Sequence, residues 1–226
     1  MGSLETGPAV IELSLRRDPN APLRILCLGA HSDDIEIGCG GTILRLTGLY
    51  PAASVHWIVL SADGETCKDE ALAGAGRFLE RAAEQRVDVK QFRESFFPYA
   101  GEQIKEYFEA IKSGPDPDVI FTHYRNDLHQ DHKLVSDLTW NTFRRSLILE
   151  YEIPKWDGDL GAPSCYVRLA EDIVERKIQC ICETFASQRT KPWFTADTFR
   201  VLMSLRGIEA NTLFAEAFYA RKLALG

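Results

Sequence analysis

Residues 23–36 read LRILCLGAHSDDIE, an apolar run that ends at a glycine and then delivers a histidine and two carboxylates. Apolar residues on consecutive positions suit a strand covered on both faces, as in a parallel sheet, so a strand is expected over residues 23–30. Working outward, residues 40–49 place Ile43, Leu44 and Leu46 at helical spacing before the Tyr50-Pro51 break, and residues 54–61 are again apolar and β-branched. Residues 69–85 carry Leu72, Ala75, Leu79 and Ala82 on one stripe and Arg77, Glu80, Arg81 and Glu84 elsewhere, an amphipathic helix pattern. A short strand at 87–89, a helix at 101–112 stopped by Pro115-Asp116-Pro117, a strand at 118–123 and a helix from 131 to 143 continue the alternation. A looser stretch with Pro154, Gly158, Gly161 and Pro163 leads to a strand at 164–169, and helices are expected to fill the remainder.

This rhythm predicts an α/β protein, a Rossmann-like three-layer sandwich with a mostly parallel sheet and helices on both faces. The chain has 226 residues, 45% hydrophobic and 26% charged, enough for one sizeable core. One domain is expected over residues 23–226, after a loose lead-in at 1–22 that contains Gly7, Pro8, Pro19 and Asn20.

A formal net charge of -7 gives no electrostatic footprint for nucleic acid, which leaves small molecules as the expected partners. No apolar stretch approaches the roughly 20 residues of a membrane span, and the opening MGSLETGPAV lacks the basic and apolar regions of a signal peptide. A cytoplasmic protein is therefore expected, with homo-oligomerisation left open. The six cysteines form no CxxC pair and do not read as a disulfide framework. Cys180 and Cys182 alternate with apolar residues in an expected helix, which argues for packing over metal binding.

In an open parallel sheet, ligands gather beyond the carboxyl ends of the strands. Two polar clusters stand there: His31-Ser32-Asp33-Asp34 after the first strand, and Asn126-Asp127-Leu128-His129-Gln130-Asp131-His132 after the strand ending at His123. Imidazole and carboxylate suit a catalytic zinc, which takes three protein ligands and keeps one position open. His31, Asp34 and His132 are candidate ligands. Adjacent residues in a tight turn diverge, so one of Asp33 and Asp34 can bind metal while the other stays free as a base. His129 and His132 are three residues apart and share a helix face, which lets His129 serve the oxyanion, and Asp131 is suited to orient one of the two imidazoles. Taken singly, an Asp-Asp pair is usually a solvated turn and a lone histidine a surface residue; two clusters at two strand ends give each other meaning. Gly38, Gly40 and Gly41 do not make a dinucleotide fingerprint, because GCGGTI lacks the third glycine of GxGxxG and follows the acidic turn; close packing beside the site is the better reading.

The stretch AHSDDIEIGCGGTI, with NDLHQDH about a hundred residues on, resembles the PIG-L/LmbE-like zinc N-deacetylases, whose motifs read AHPDDxE with a glycine pair, and HPDH. The likeness extends through Asp63-Gly64-Glu65, Arg77 and Glu80, Ser187-Gln188 and Ala215-Glu216-Ala217-Phe218, so it spans roughly residues 24–218. The resemblance implies that His31, Asp34 and His132 bind zinc, or another divalent transition metal, and that Asp33 is the general base. It also implies that His129 polarises the amide carbonyl, that Asp131 supports a neighbouring histidine and that Arg77 faces the substrate. Arg125, beside the second motif, is a candidate contact for a phosphate or carboxylate on that substrate. Ser32 and Gln130 stand where the family has proline, at positions that supply no ligand. The implied activity is removal of an N-acetyl group from a sugar-like substrate, of N-acetylglucosamine type or a conjugate. The competing readings are an amidase acting on a non-sugar or thiol conjugate, and a binding protein that keeps the fold without turnover.

Overall fold

The computed structural model describes Leu15 and residues 21–224. Most of the lead-in expected at 1–22 lies outside the described residues. The chain order is β1 (Arg24–Gly29), α1 (Asp34–Leu49), β2 (Ser54–Val59), α2 (Gly64–Leu79), β3 (Glu84–Val89), α3 (Gly101–Lys112), β4 (Val119–His123), α4 (Gln130–Thr142), β5 (Leu147–Tyr151), β6 (Cys165–Arg168), α5 (Glu171–Thr184), α6 (Ala196–Glu209) and β7 (Ala215–Ala220).

The strands form one seven-stranded sheet in the order β3-β2-β1-β4-β5-β7-β6. Pairing is parallel from β3 through β5, whereas β7 runs antiparallel to both β5 and β6. The strand order reverses between β1 and β4, and that crevice at their carboxyl ends is where such sheets place ligands.

Alternate residues of β1 face opposite layers. Ile25 and Cys27 join a core with Ile35, Ile43, Phe78, Ile178 and Phe199 from α1, α2, α5 and α6. Leu26 and Leu28 join a second core with Ile104, Phe108 and Val135 from α3 and α4. The sheet is thus sandwiched between two helical layers, as its two-sided apolar strands require. β3 sits at the edge with the sequence EQRVDV, half-exposed and charged, which discourages further strand pairing.

Three expectations are corrected. The first helix starts at Asp34 rather than residue 40, so Gly38, Gly40 and Gly41 lie inside it. A Cβ on Gly38 would lie 2.2 Å from the Tyr151 ring, one on Gly40 2.5 Å from Phe78, and one on Gly41 2.7 Å from Leu169. Close packing against the sheet and against α2 overrides the poor helix propensity of glycine. The second helix ends at Leu79, and Glu84 and Gln85 belong to β3, where they pair with Ser54 and Val55. The C-terminal region is not all helix: residues 215–220 form β7, held between β5 and β6.

A buried ion pair fastens this last strand to α1. Lys177 Nζ donates to Glu216 Oε1 and to Ile37 O, each at 2.6 Å. The Glu216 carboxylate also accepts from Gly41 N at 2.8 Å and Thr42 N at 2.6 Å. Removing the ammonium strands a buried carboxylate. Lys177→Met is therefore expected to destabilise the protein by about 3–5 kcal/mol, read as a lowered urea midpoint at unchanged slope.

Candidate metal centre

Both polar clusters converge at the crevice between β1 and β4. Asp33 sits at the N-cap of α1 and Asp34 is the first residue of the helix, where the exposed N–H groups favour negative charge. The loop after β4 carries Asp127 and ends at His129, the N-cap of α4, so that Asp131 and His132 occupy the first turn.

His31 Nδ1 lies 3.1 Å from His132 Nε2 and 3.4 Å from Asp34 Oδ2, and His132 Nε2 lies 3.6 Å from Asp34 Oδ1. Ligand bonds of 2.0–2.2 Å in a tetrahedral zinc site place donor atoms about 3.3 Å apart, so the three groups are spaced for one shared cation.

The far nitrogens of both rings meet carboxylates. His31 Nε2 is 3.2 Å from Asp131 Oδ2, and His132 Nδ1 is 3.0 Å from Asp127 Oδ2. Carboxylates at those positions orient the rings so that Nδ1 of His31 and Nε2 of His132 face each other, where they can share a proton or a cation. The carboxylates are themselves held: Asp131 accepts from Ser95 N at 2.6 Å and Phe97 N at 3.1 Å, while Asp127 accepts from His129 N at 2.8 Å and pairs with Lys155 Nζ at 3.0 Å.

Burial works against ionisation of Asp34, but the surrounding imidazoles of His132, His123 and His31 outweigh it and hold its carboxyl well below the usual range. Burial also opposes a charge on His31, yet Asp34 and Asp131 push its imidazole up to about 10. His132 goes the other way, down to about 4, through burial and the neighbouring His123. The cluster thus favours a positive charge on His31 at neutral pH, the demand that a bound cation would meet in its place.

Asp33 is buried and makes no side-chain cap to its helix. Burial and the charge of Asp34 push it up to about 6, against the pull of Lys191 and His31. The His129 ring is 4.9 Å from that of His31 and 4.6 Å from that of His132, and its Nδ1 accepts from Asp131 N at 3.3 Å. With Nδ1 accepting, the neutral ring carries its proton on Nε2.

The crevice thus gathers His31, Asp33, Asp34, His129, Asp131 and His132. It does not gather Arg77, which lies about 20 Å along α2 from the helix start at Gly64 and pairs with Glu183 at 2.7 Å on the surface. Arg125 stands two residues beyond β4 and is exposed, with its backbone N–H on Glu150 Oε2 at 3.0 Å. Two residues went unassigned in the sequence reading: Asp127, which stands inside the second motif, and His123, the last residue of β4. Among the described residues, His31, His129 and His132, and also Asp34, His123 and His132, bring potential ligand atoms within 4.8 Å of one another. A search of strand ends for histidine as well as of the loops beyond them would have found His123.

Two imidazoles and a carboxylate, each with an ordered outer partner and a free carboxylate alongside, are the donor set of a metal-dependent hydrolase. The chain belongs to the PIG-L family, described as GlcNAc-PI de-N-acetylase, whose profile matches residues 26–143. It is 31% identical over 153 residues to the uncharacterized deacetylase YaiS of Escherichia coli strain K12, covering 64% of this chain and 82% of that protein. Its fold is similar to that of N,N'-diacetylchitobiose deacetylase from Pyrococcus horikoshii, with TM-score 0.63 and 18% identity over 90% of this chain and 87% of that one. The fold is also similar to that of GalB, the 4-carboxy-2-hydroxymuconate hydratase of Pseudomonas putida KT2440, with TM-score 0.64 and 15% identity over 90% of this chain and 98% of that one. No helix among the described residues is long and apolar enough to cross a membrane.

The geometry gives a direct comparison of two side chains. Asp127→Ala is expected to weaken divalent metal binding 10–100-fold by releasing His132 Nδ1, whereas Arg77→Ala leaves it unchanged; competition with a chromophoric chelator measures both.

Proposed function

We propose that this protein is a zinc-dependent N-deacetylase that removes the acetyl group from an N-acetylated amino sugar or its conjugate. The observation that carries this reading is the mutual spacing of His31 Nδ1, Asp34 and His132 Nε2 at 3.1–3.6 Å beside an unengaged, buried Asp33. Membership of a deacetylase family supports the bond class, and the chitobiose deacetylase with the same fold supports an amino-sugar substrate.

His31, Asp34 and His132 would hold the zinc ion, which when bound would supply Lewis acidity for amide hydrolysis near neutral pH. Asp33 takes a proton from the attacking water. His129 donates from Nε2 to the oxygen of the scissile carbonyl as charge develops there. The same Asp33 carboxyl then returns its proton to the amide nitrogen as the C–N bond breaks, so that acetate and a free amine leave. Asp131 and Asp127 hold the two ligand imidazoles in the tautomers this requires. The Lys191 ammonium is close enough to pull the Asp33 carboxyl down, and its charge suits an anionic group on the conjugate. Arg125 remains a candidate contact of the same kind. The catalytic unit is residues 23–226, and free cysteines at 27, 39, 67, 165, 180 and 182 accord with a reducing, cytoplasmic setting.

The GalB likeness gives a second reading specific content, because the same fold carries a hydratase. Acetate release decides between them. Zinc-loaded protein incubated with N-acetylated sugars, nucleotide sugars and glycoconjugates is expected to release acetate, with kcat reduced about 10²–10⁴-fold in Asp33→Ala while zinc binding persists. Turnover without acetate, or full activity in Asp33→Ala, would refute the proposal.

A further inference from the structure

The second motif departs from its family at Gln130, and the side chain that replaces proline makes a contact proline cannot make. Gln130 is the first residue of α4, a place that suits proline because the ring presets the helical φ and its missing N–H is not needed there. Glutamine gives up that rigidity and gains a side-chain amide. The amide donates from Nε2 to Ser95 O in the loop that follows β3, so the second motif and that loop are joined where a proline ring has no donor to offer.

Ser95 has a φ of 65°, in the left-handed region that residues with a Cβ rarely adopt. The use of this costly turn is seen at its amides. Ser95 N donates to Asp131 Oδ2 at 2.6 Å and Phe97 N to Asp131 Oδ1 at 3.1 Å, so both oxygens of this buried carboxylate are held by one short segment. Asp131 Oδ2 in turn lies 3.2 Å from His31 Nε2, and the Phe97 ring stands 6.1 Å from the His31 ring. Two consecutive residues of α4 therefore grip Ser95: Asp131 accepts from its N–H, and Gln130 donates to its carbonyl. A strained backbone persists where its surroundings over-determine it, and a hydrogen bond on each side of the residue does so.

We infer that Gln130 is a positioning residue for the metal centre: its amide holds Ser95 in the left-handed turn, the N–H groups of that turn fix Asp131, and Asp131 orients the imidazole of His31. Proline at this position would stiffen the start of α4 alone, whereas glutamine fastens α4 to the loop after β3. Gln130 is itself exposed, so replacing it disturbs no core packing. The inference rests on His31 being a ligand, and so on the proposed function.

The test compares Gln130→Ala and Gln130→Pro, which both lack the donor, with the same two changes made together with Ser95→Gly, which removes the cost of a positive φ. The readouts are the zinc dissociation constant by chelator competition, and kcat and KM for acetate release at saturating zinc. Each single variant is expected to bind zinc about 3–10-fold more weakly, the worth of one neutral hydrogen bond, with KM unchanged. Adding Ser95→Gly is expected to restore most of the lost affinity, because glycine adopts the turn without the tie, a rescue that a merely structural role for Gln130 would not give. Parent-like zinc affinity in either single variant overturns the inference while leaving the proposed function intact. A loss that Ser95→Gly does not restore also overturns it, by showing that Gln130 does not act through the turn, and a raised KM overturns it by assigning Gln130 to the substrate. Absence of zinc binding by the parent overturns the proposed function and this inference together.

Discussion

Two imidazole nitrogens 3.1 Å apart, His31 Nδ1 and His132 Nε2, face each other beside a buried carboxylate, and this contact constrains the rest of the molecule. With the opposite nitrogens committed to Asp131 and Asp127, the facing nitrogens share either a proton on His31 or a cation. Bringing the two rings together requires β1 and β4 to be neighbours, since each ring follows one of those strands. A parallel sheet whose order reverses at that point provides this adjacency without any direct contact between the two segments in sequence.

The supporting structure can be followed outward from the two rings. α1 must start at once after β1 to bring Asp33 and Asp34 to the crevice, and it must lie close to the sheet to do so. Its glycines make that approach possible: Gly38 admits the Tyr151 ring and Gly41 admits Leu169 and the Glu216 carboxylate. Lys177 and Glu216 then hold α1 to α5 and β7 through a charged pair within the apolar layer. On the other side, Lys155 and Asp159 tie the loop after β5 to the second motif, through Asp127 Oδ2 at 3.0 Å and Leu128 N at 2.7 Å. The segment carrying the exposed Trp156 is thereby attached to the outer shell of the metal centre.

Much of this was legible in the sequence, for physical reasons that differ by residue. β1 and β4 declared themselves because both faces are buried and most of their positions are apolar. The polar residues just beyond them were conspicuous by contrast, and the resemblance of the two motifs to a deacetylase family gave them roles. The start of α1 was obscured because glycine reads as a break, whereas here packing against Tyr151 and Phe78 decides. β7 was hidden because AEAFYA has no strand signature of its own and is stabilised by its neighbours β5 and β6. His123 looked like the end of a strand, and Asp127 like a loop residue, because their partners Asp34 and His132 come near only in three dimensions. Arg77 carried a family expectation that its place on α2 does not support: a surface ion pair with Glu183 occupies it.

The central claim is that His31, Asp34 and His132 form one metal centre, and X-ray absorption at the zinc edge of the loaded protein tests it most directly. The account predicts two imidazoles and one carboxylate oxygen at about 2.0–2.2 Å, with the remaining position filled by a light oxygen donor. A shell containing sulfur, or three or more imidazoles, would contradict it, by assigning the cation to other residues of this crevice or to another part of the chain.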